Sequence, residues 1–415
     1  MPVIKPFKAF RYNETYAHDM AKLICPPYDI ITPACQEKLL KQNPLNIVRV
    51  ELPKALDNEN PYQQAAAVFN QWILDGVLIQ DTKPSLYVYE QQFKVQGKSY
   101  RRRGIFAAVK IEKPREGLIL PHENTLSKHK EDRLKLLKTV KANISPIFGF
   151  FSDSKGPVRN IIAQSAKRKS LYKECKESGV IHRLFVLSDP EKISVITNSI
   201  KEKKVFIADG HHRYETAWNY LMYVQGLGQR TEAAAHVLMF LCPLEDKGLI
   251  VLPTHRVVKK SDYINIDAIK TQAQNDFSIE HVSSLKHLRL MMNKSKSRNI
   301  IGLSSGKVNL LLTPINFKKI DTMHTNASLD YRRLGVTVLH SLILSDIDPH
   351  DISFVKNISD ACKQAQSGKH VAFLLKAPTL DDIRNISLSG ETMPQKTTYF
   401  YPKLATGFVI HGVKT

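Results

Sequence analysis

The segment VFIADGHHRYETAWNYL, residues Val205–Leu221, decides how the middle of this chain folds. Its first four residues are apolar and predict a buried strand. The apolar residues that follow recur on one stripe of a helix, at Ala217, Tyr220, Leu221 and Val224. The sequence therefore predicts a strand, a tight turn at 209–213 and a helix in direct succession.

The residue types in this turn suit the binding of an anion. Backbone N–H groups at the start of a helix lack partners within the helix, and the helix dipole adds partial positive charge there. Gly210 lets a ligand approach the backbone, and Arg213 is able to bind two oxygens of a phosphate. The imidazoles of His211 and His212 are able to donate hydrogen bonds or to move protons. The structural alternative is that Asp209 only caps the helix.

A second segment, Gly117–Leu126, predicts a strand that ends in a loop carrying His122 and Glu123. The helix predicted after it has an apolar stripe and a basic flank, which contains Lys135, Lys138 and Lys141. A carboxylate between a strand and a basic helix is placed to act as a general base beside an anion site. Without that context, a loop glutamate more often caps a helix or forms a salt bridge, and both interpretations stay open.

The remaining segments carry weaker signals. The aromatic and basic segment 390–407 predicts either the wall of a site or a C-terminal strand. Cys25–Ile31 and Asn43–Val50 each pair a turn signal with a strand candidate. A helix is predicted over Tyr62–Leu78, and 261–299 is predicted to be mostly helical. Further predictions are a hairpin around Gln96-Gly97, strands at Leu249–Pro253 and His370–Lys376, a helix at Arg332–Leu344 and a capping box at Thr379–Asp382.

Length and composition bound the class of protein. The chain has 415 residues, which predicts two or three domains, and 43% hydrophobic against 24% charged residues predicts a globular fold. No stretch is apolar enough to span a membrane, and no apolar segment follows the basic N-terminal residues. The five cysteines are scattered and never form a CxxC pair, which favours a reducing cytoplasm.

The net charge of +21 is typical of proteins with an anionic partner such as a nucleotide, a nucleic acid or an acidic lipid. The alternative is a general excess of surface lysine, and both interpretations stay open. Because the basic residues are dispersed and no nucleic-acid signature occurs, general phosphate attraction is favoured over base readout. No P-loop, Rossmann glycine motif or nucleophile elbow occurs, which disfavours those enzyme classes. Adjacent histidines without a third ligand also disfavour a zinc site, so no metal ligands are predicted.

Seven ordered motifs resemble a known prokaryotic family, the domain-of-unknown-function family numbered 1015, over nearly all of the chain. They are CPPYDII (25–31), NPLNIVRVELP (43–53), PHENT (121–125), EDRLKLL (131–137), IADGHHRYETA (207–217), LPTHR (252–256) and MPQKTTYFYPKL (393–404).

The middle of the chain also resembles the ParB/sulfiredoxin superfamily and its free-serine kinases, through the PHE motif, Ser145-Pro146-Ile147 and the DGHHR turn. This resemblance implies that Glu123 is the base that deprotonates an acceptor hydroxyl. It further implies that Asp209, Gly210, His211, His212 and Arg213 surround the transferring phosphoryl group. His211 and His212 are thus candidate catalytic residues beside Glu123, and His122 and Arg133 are further candidates for binding the nucleotide. The chain departs from that pattern by inserting about 60 residues between Ile147 and the turn.

The expected fold is α+β, with a ParB/sulfiredoxin-like core at 101–260 between α/β regions at 1–100 and 261–415. The expected function is that of a small-molecule kinase, which phosphorylates the hydroxyl of free L-serine or a similar metabolite. The resemblance implies that the donor is ATP, ADP or pyrophosphate with Mg²⁺. Asp29, Arg256 and Lys396 are the candidates for binding the charged groups of the acceptor. The alternative is a non-catalytic, nucleotide-responsive regulatory or nucleic-acid-binding protein.

Overall fold

The computed structural model describes residues 2–54, 60–125, 127–172, 175–177, 179–230, 232–306 and 308–414, without the side chains of 127–129 and 175–177. The fold is a mixed α+β one, as the sequence predicts. It divides into two compact units. The first comprises Met1–Pro121, Thr125–Ile250 and Pro402–Thr415, and the second comprises His122–Asn124 and Val251–Tyr401.

The strands in chain order are β1 (Ile4–Lys5), β2 (Phe10–Tyr12), β3 (Leu78–Gln80), β4 (Leu86–Val95), β5 (Lys98–Lys110), β6 (Ile119–Leu120), β7 (Ala142–Asn143), β8 (Ile147–Phe151), β9 (Cys175–Glu177), β10 (Val180–Leu187), β11 (Val205–Asp209), β12 (His236–Pro243), β13 (Ile250–Leu252), β14 (His255–Lys259), β15 (Phe277–His281), β16 (Ile301–Ser305), β17 (Val308–Pro314), β18 (Ile352–Val355), β19 (His370–Leu374), β20 (Tyr399–Tyr401) and β21 (His411–Gly412). The α-helices are α1 (Pro33–Gln42), α2 (Val48–Glu51), α3 (Pro61–Leu74), α4 (Ser127–Val140), α5 (Pro157–Ser165), α6 (Pro190–Ile200), α7 (His211–Gly226), α8 (Ile266–Ala273), α9 (Leu285–Lys294), α10 (Lys318–Met323), α11 (Leu329–Arg332), α12 (Gly335–Leu342), α13 (Ile358–Gln366) and α14 (Leu380–Leu388). Short 3₁₀ helices lie at Ala17–Lys22, Tyr28–Ile30 and Pro349–Asp351.

The first unit is built on a mixed sheet with the strand order β6-β11-β8-β12-β5-β4-β10-β9, to which β1 adds by pairing with β5. The pairs β11–β6 and β12–β8 are parallel. Every residue of β8 and β12 is buried, since both strands lie inside the sheet. Apolar residues of α5, α6 and α7 pack with the sheet in one continuous core. This arrangement fixes the end of β11, where the turn begins.

The second unit is built on an antiparallel sheet with the order β15-β17-β16-β19-β14-β18. Its core joins the sheet to the apolar faces of α9 and α13, which bury Leu288 and Met292 on one helix and Ala361 and Cys362 on the other. The strands β13 and β20 form a separate short ladder.

Several local predictions are confirmed. The helix predicted over Tyr62–Leu78 is present as α3, which buries Phe69 and Trp72, but it ends at Leu74, and Leu78 begins β3. The hairpin of β4 and β5 turns at Gln96 and Gly97, whose φ values of 48° and 80° are those of a primed turn that suits the twist of the strands. The capping box is present, because Thr379 accepts from the backbone of Asp382 and the Asp382 side chain accepts from Thr379.

Two strand predictions are wrong. The candidate at Cys25–Ile31 contains a 3₁₀ turn, and the candidate at Asn43–Val50 runs into α2. The cause of the second error is Asn46, whose side-chain oxygen accepts from Val48 N and whose amide donates to the carbonyls of Lys22 and Ile24. Such side-chain bonds start a helical turn and take the place of a strand ladder.

The segment 261–299 is also less helical than predicted, because β15 lies between α8 and α9. The three regions 1–100, 101–260 and 261–415 stay a prediction. Strands from the first hundred residues and from 101–260 share the sheet of the first unit. Among the described helices, none combines the length and apolar character needed to cross a bilayer.

Candidate active site

The predicted turn follows β11 directly, and its side chains form an ion cluster in the first unit. Arg213, one helical turn further on, places its Nη2 atom 2.6 Å from Asp209 Oδ2. The Lys403 ammonium binds the other oxygen of the same carboxylate. Arg213 also donates to the carbonyl of Pro146. Asp209, Arg213 and Lys403 have side chains only 11–14% exposed, so the cluster is largely shielded from water.

The Asp209 carboxylate stays ionised because of its two cations. Burial alone would raise its pKa, but the Lys403 ammonium and the Arg213 guanidinium together lower the pKa of Asp209 far below its usual value. Two cations around one carboxylate leave an excess of positive charge. The start of α7 adds to this charge through its dipole. The turn is therefore an electropositive site at the end of a buried strand.

Gly210 is required by the geometry of the turn. Its φ of +91° lies in the left-handed region, and a Cβ atom here would lie 3.0 Å from atoms of the Arg213 guanidinium. An alanine would therefore strain the backbone and push Arg213 away from Asp209.

We expect Gly210→Ala to lower the free energy of unfolding by about 1–2 kcal/mol from backbone strain alone. A matched control is Gly226→Ala in the same helix, where a Cβ atom would meet nothing within 4 Å. Urea denaturation of both variants checks this. Equal stability of the two variants would show that the left-handed turn is not a constraint.

A buried polar cluster lies next to the turn within the first unit. The Ser145 hydroxyl donates to Glu51 Oε1 at 2.5 Å, and Arg133 donates to the Glu51 carbonyl at 2.7 Å. The Arg133 guanidinium also stacks 4.3 Å from the Tyr28 ring. Arg133 and Arg213 line the same small cavity of about 50 Å³, together with Glu51 and Ser145. The predicted residue Arg133 thus lies beside the turn, and Asp29 acts on Arg213 through its charge.

Burial raises the pKa of Glu51, although the Arg133 guanidinium and the Ser145 hydroxyl oppose the shift. A raised folded pKa means that the folded state binds the proton more tightly than the unfolded state. Stability from this group is therefore present below the usual glutamate pKa and is lost as pH rises through the folded value.

We expect Glu51→Gln to remove this loss of stability at higher pH, because glutamine keeps the oxygen that accepts from Ser145 but carries no charge. Thermal unfolding across pH 4 to 8 should show that the melting temperature of the variant rises relative to that of the natural protein as pH rises. The exposed Glu37, as Glu37→Gln, is the control and should follow the natural protein. A constant difference across this range would contradict the assignment.

In the second unit, Glu123 belongs to a hydrogen-bonded chain of side chains. Thr398 Oγ1 donates to Glu123 Oε1 at 3.3 Å, and His122 Nε2 lies 3.0 Å from the same hydroxyl. A hydroxyl has one hydrogen, so His122 Nε2 is the donor in the second bond. Met393 N donates to the His122 carbonyl at 2.8 Å and holds the segment in place. Glu123 is 25% exposed, while the His122 side chain is fully buried.

Arg256 and Lys396, predicted as acceptor residues, are neighbours in the second unit. The Arg256 guanidinium carbon and Lys396 Nζ lie 5.0 and 4.9 Å from the centre of the Phe354 ring. Arg256 is 1% exposed. Burial lowers the pKa of Arg256 to about 10, and the charge of Glu123 opposes this shift. Glu123 and Arg256 are thus electrostatically coupled.

The predicted residues fall into two groups. The first unit contains Asp29, Arg133, Asp209, Gly210, His211, His212 and Arg213, and the second contains His122, Glu123, Arg256 and Lys396. Joint action of Glu123 with the turn stays a prediction.

Glu51, Lys403 and Thr398 were missed as site residues. Each of the three lies in one of the seven motifs. Glu51 belongs to a motif whose pattern indicates a structural role, and Lys403 and Thr398 are distant in sequence from the residues that they contact.

The described residues form no dedicated binding site for the predicted Mg²⁺. Among the described residues, no group of three or more His, Cys, Asp or Glu side chains is arranged to hold a metal ion. Mg²⁺ usually binds through one or two carboxylates together with substrate phosphates and water. The residues fit a magnesium that arrives with a nucleotide better than a resident metal.

These observations define the class as an α+β protein with an electropositive turn at a helix N-terminus. The chain belongs to the family described as "Protein of unknown function (DUF1015)", whose model matches residues 4–334. This confirms the family inferred from the seven motifs. No curated protein matches the sequence.

Several solved structures are weakly similar to the chain. A free serine kinase variant in complex with ADP has 14% identity and a TM-score of 0.35, covering 74% of this chain and 92% of that one. SbnI with a C-terminal truncation, from Staphylococcus aureus, has 11% sequence identity and a TM-score of 0.38. The match covers 73% of this chain and 86% of SbnI. A conserved hypothetical protein from Pyrococcus furiosus has 14% sequence identity and a TM-score of 0.34. The match covers 74% of this chain and 95% of that protein. At this level of similarity none of them informs the function.

Proposed function

We propose that this protein is a small-molecule kinase that transfers a phosphoryl group from ATP, ADP or pyrophosphate to an alcohol acceptor, with free L-serine as the first candidate. The observation that carries the proposal is the Asp209–Arg213 turn, an electropositive cluster at the start of a helix. The motif resemblance to free-serine kinases and to the ParB/sulfiredoxin core supports the same assignment.

The donor side of the reaction is assigned to the first unit. Arg213 uses one donor on Asp209 and one on Pro146, which orients the guanidinium and leaves further N–H groups for phosphate oxygens. His211, His212 and the first N–H groups of α7 complete the proposed phosphate site. Phosphoryl transfer needs mainly positioning and positive charge, and the turn supplies both. Bound Mg²⁺ would neutralise charge on the phosphates.

The acceptor side is assigned to Glu123. A carboxylate that is partly exposed and oriented by Thr398 is able to accept the proton of a substrate hydroxyl. Arg256 and Lys396 are proposed to attract a carboxylate of the acceptor, and Asp29 its ammonium. His122 is the positioning residue, since it contacts Thr398.

Two measurements test the proposal in sequence. Thermal shift with ATP, ADP, pyrophosphate and CTP, each with and without Mg²⁺, identifies the donor, because a ligand that binds only the folded state raises the melting temperature. Phosphorus NMR with serine and that donor should then show phosphoserine. The absence of any phosphorylated product with every donor, for serine and related alcohols, would overturn the kinase assignment.

A second candidate function is favoured by the net charge of +21. A nucleotide-responsive regulatory protein that binds nucleic acid should retain DNA or RNA on a filter, with affinity that falls steeply between 50 and 200 mM salt. Nucleotide should alter that affinity. No retention at the lower salt concentration would remove this candidate.

A further inference from the structure

The second unit contains a cavity of about 270 Å³. Of the residues proposed for the acceptor side of the kinase reaction, Arg256 lines this cavity, and Glu123, Lys396 and Asp29 do not. Four cationic side chains line it, from Arg256, Arg298, Arg333 and Lys376. Two carboxylates, from Asp330 and Asp382, also line it. The cavity is lined wholly by residues of this unit and lies between the start of β14, the end of β19 and the starts of α12 and α14.

Two of the four cations are neutralised by carboxylates. Arg298 Nη1 lies 2.8 Å from Asp382 Oδ1. Arg333 donates to both oxygens of Asp321, at 2.7 and 2.9 Å. In each of these two pairs the charges of the partners compensate each other. Asp330 adds one further carboxylate to the lining.

The other two cations are held by neutral groups in the described part of the chain. Arg256 donates to the carbonyls of Thr254 and Gln395 and to a ring nitrogen of His340. Lys376 Nζ donates to the carbonyls of Ser295 and Ser297, at 2.7 and 3.1 Å. Carbonyl partners satisfy hydrogen bonds but carry no negative charge. The Glu123 carboxylate acts on Arg256 through its charge, whereas no ion pair joins Lys376 to a carboxylate among the described residues.

The remaining donors of these two residues are suited to an anion. A guanidinium has five N–H donors and an ammonium has three, so Arg256 keeps two and Lys376 keeps one beyond the bonds above. Burying a cation is unfavourable unless a negative charge compensates it, and Arg256 is 1% exposed. The start of α12 reaches the same cavity through Leu334, Gly335 and Val336 and adds partial positive charge.

We propose that this cavity is a binding site for a small organic anion, a carboxylate or a phosphate monoester, whose charged group binds Arg256 and Lys376. The volume is below that of pockets for drug-sized ligands, which restricts the ligand to a small metabolite. No residue of the turn at 209–213 lines the cavity. Its existence does not depend on kinase activity.

Calorimetric titration of the full chain with inorganic phosphate and, in a second arm, with succinate tests the proposal. Arg256→Gln and Lys376→Met should each weaken binding by about tenfold or more, as expected for a lost charge-assisted hydrogen bond. Arg289→Gln and Lys286→Met, which remove the same charges from exposed positions outside the cavity, should change the affinity less than twofold. The arm that binds identifies which anion chemistry the site takes.

Because Arg256 is buried, its variant is checked by circular dichroism, and Lys376→Met carries the test if Arg256→Gln does not fold. Hydrogen exchange locates the probe, which should protect residues 334–336. The proposal is overturned if neither probe saturates the protein at about 10 mM. It is equally overturned if Lys376→Met binds normally and protection appears only at 209–213. Either result leaves the proposed roles of Glu123 and of the 209–213 turn in the kinase untouched and bears only on the proposed role of Arg256.

Discussion

Replacement of Glu123 by glutamine is expected to lower the turnover number for phosphoryl transfer by about a hundredfold to ten-thousandfold, the contribution of a general base. Glutamine keeps the shape of the side chain and an oxygen to accept from Thr398, but it cannot take a proton from the acceptor hydroxyl. Nucleotide binding should persist, because the donor site is assigned to other residues. Single-turnover phosphorus NMR and a nucleotide thermal shift on the same sample separate the two effects.

The matched control is Glu116→Gln, five residues before the PHE motif, where an exposed glutamate pairs with Lys113. This control should keep full turnover. Thr398→Val provides a second comparison and should lower turnover by a smaller factor, since it removes only the group that orients the carboxylate. Unchanged turnover in Glu123→Gln would end the assignment of this residue as the base.

Asp209→Asn is expected to cost about 3–5 kcal/mol of unfolding free energy, the usual effect of breaking a buried ion pair. The substitution leaves the Arg213 guanidinium and the Lys403 ammonium near each other without the carboxylate between them. Asparagine still accepts one hydrogen bond but neutralises neither charge. Urea denaturation at neutral pH measures the loss, and Asp75→Asn at an exposed helix end in the same unit is the control.

The acid dependence of stability gives an independent check on Asp209. Because its folded pKa is lowered, the ion cluster stabilises the protein above the usual aspartate pKa, and this stability is lost as pH falls from that value towards the folded one. Asp209→Asn should therefore flatten the acid limb of the stability curve below about pH 4. An acid limb identical to that of the natural protein would show that Asp209 is not held by these cations.

Several elements were predictable because their signals lie within a few residues. The apolar run before Asp209, the left-handed Gly210 and the helical stripe after it define a strand, turn and helix without knowledge of the rest of the chain. The same holds for the hairpin at Gln96-Gly97 and for the capping box at Thr379. In each case the deciding interactions join residues at most four positions apart.

Long-range contacts explain what sequence analysis missed. The Asn43–Val50 segment forms turns that lead into α2 rather than a strand, and the Asn46 side chain holds it by bonds to carbonyls more than twenty residues away. Glu51 meets Ser145, 94 residues later, and Lys403 meets Asp209 across 194 residues. No local sequence pattern encodes such distant partners. For this reason the strand prediction was wrong, and the list of site residues lacked Glu51 and Lys403.

The sequence by itself determined the family, the α+β class and the strand, turn and helix around residues 209–213, because motifs, periodicity and helix starts are local properties of the chain. Only the tertiary structure decided which charges are paired. It showed that Lys403 and Arg213 share Asp209, that Thr398 orients Glu123, and that Arg256 and Lys376 line one cavity with neutral partners. The physical reason is that electrostatic interactions depend on distance in space and on burial, which folding alone sets.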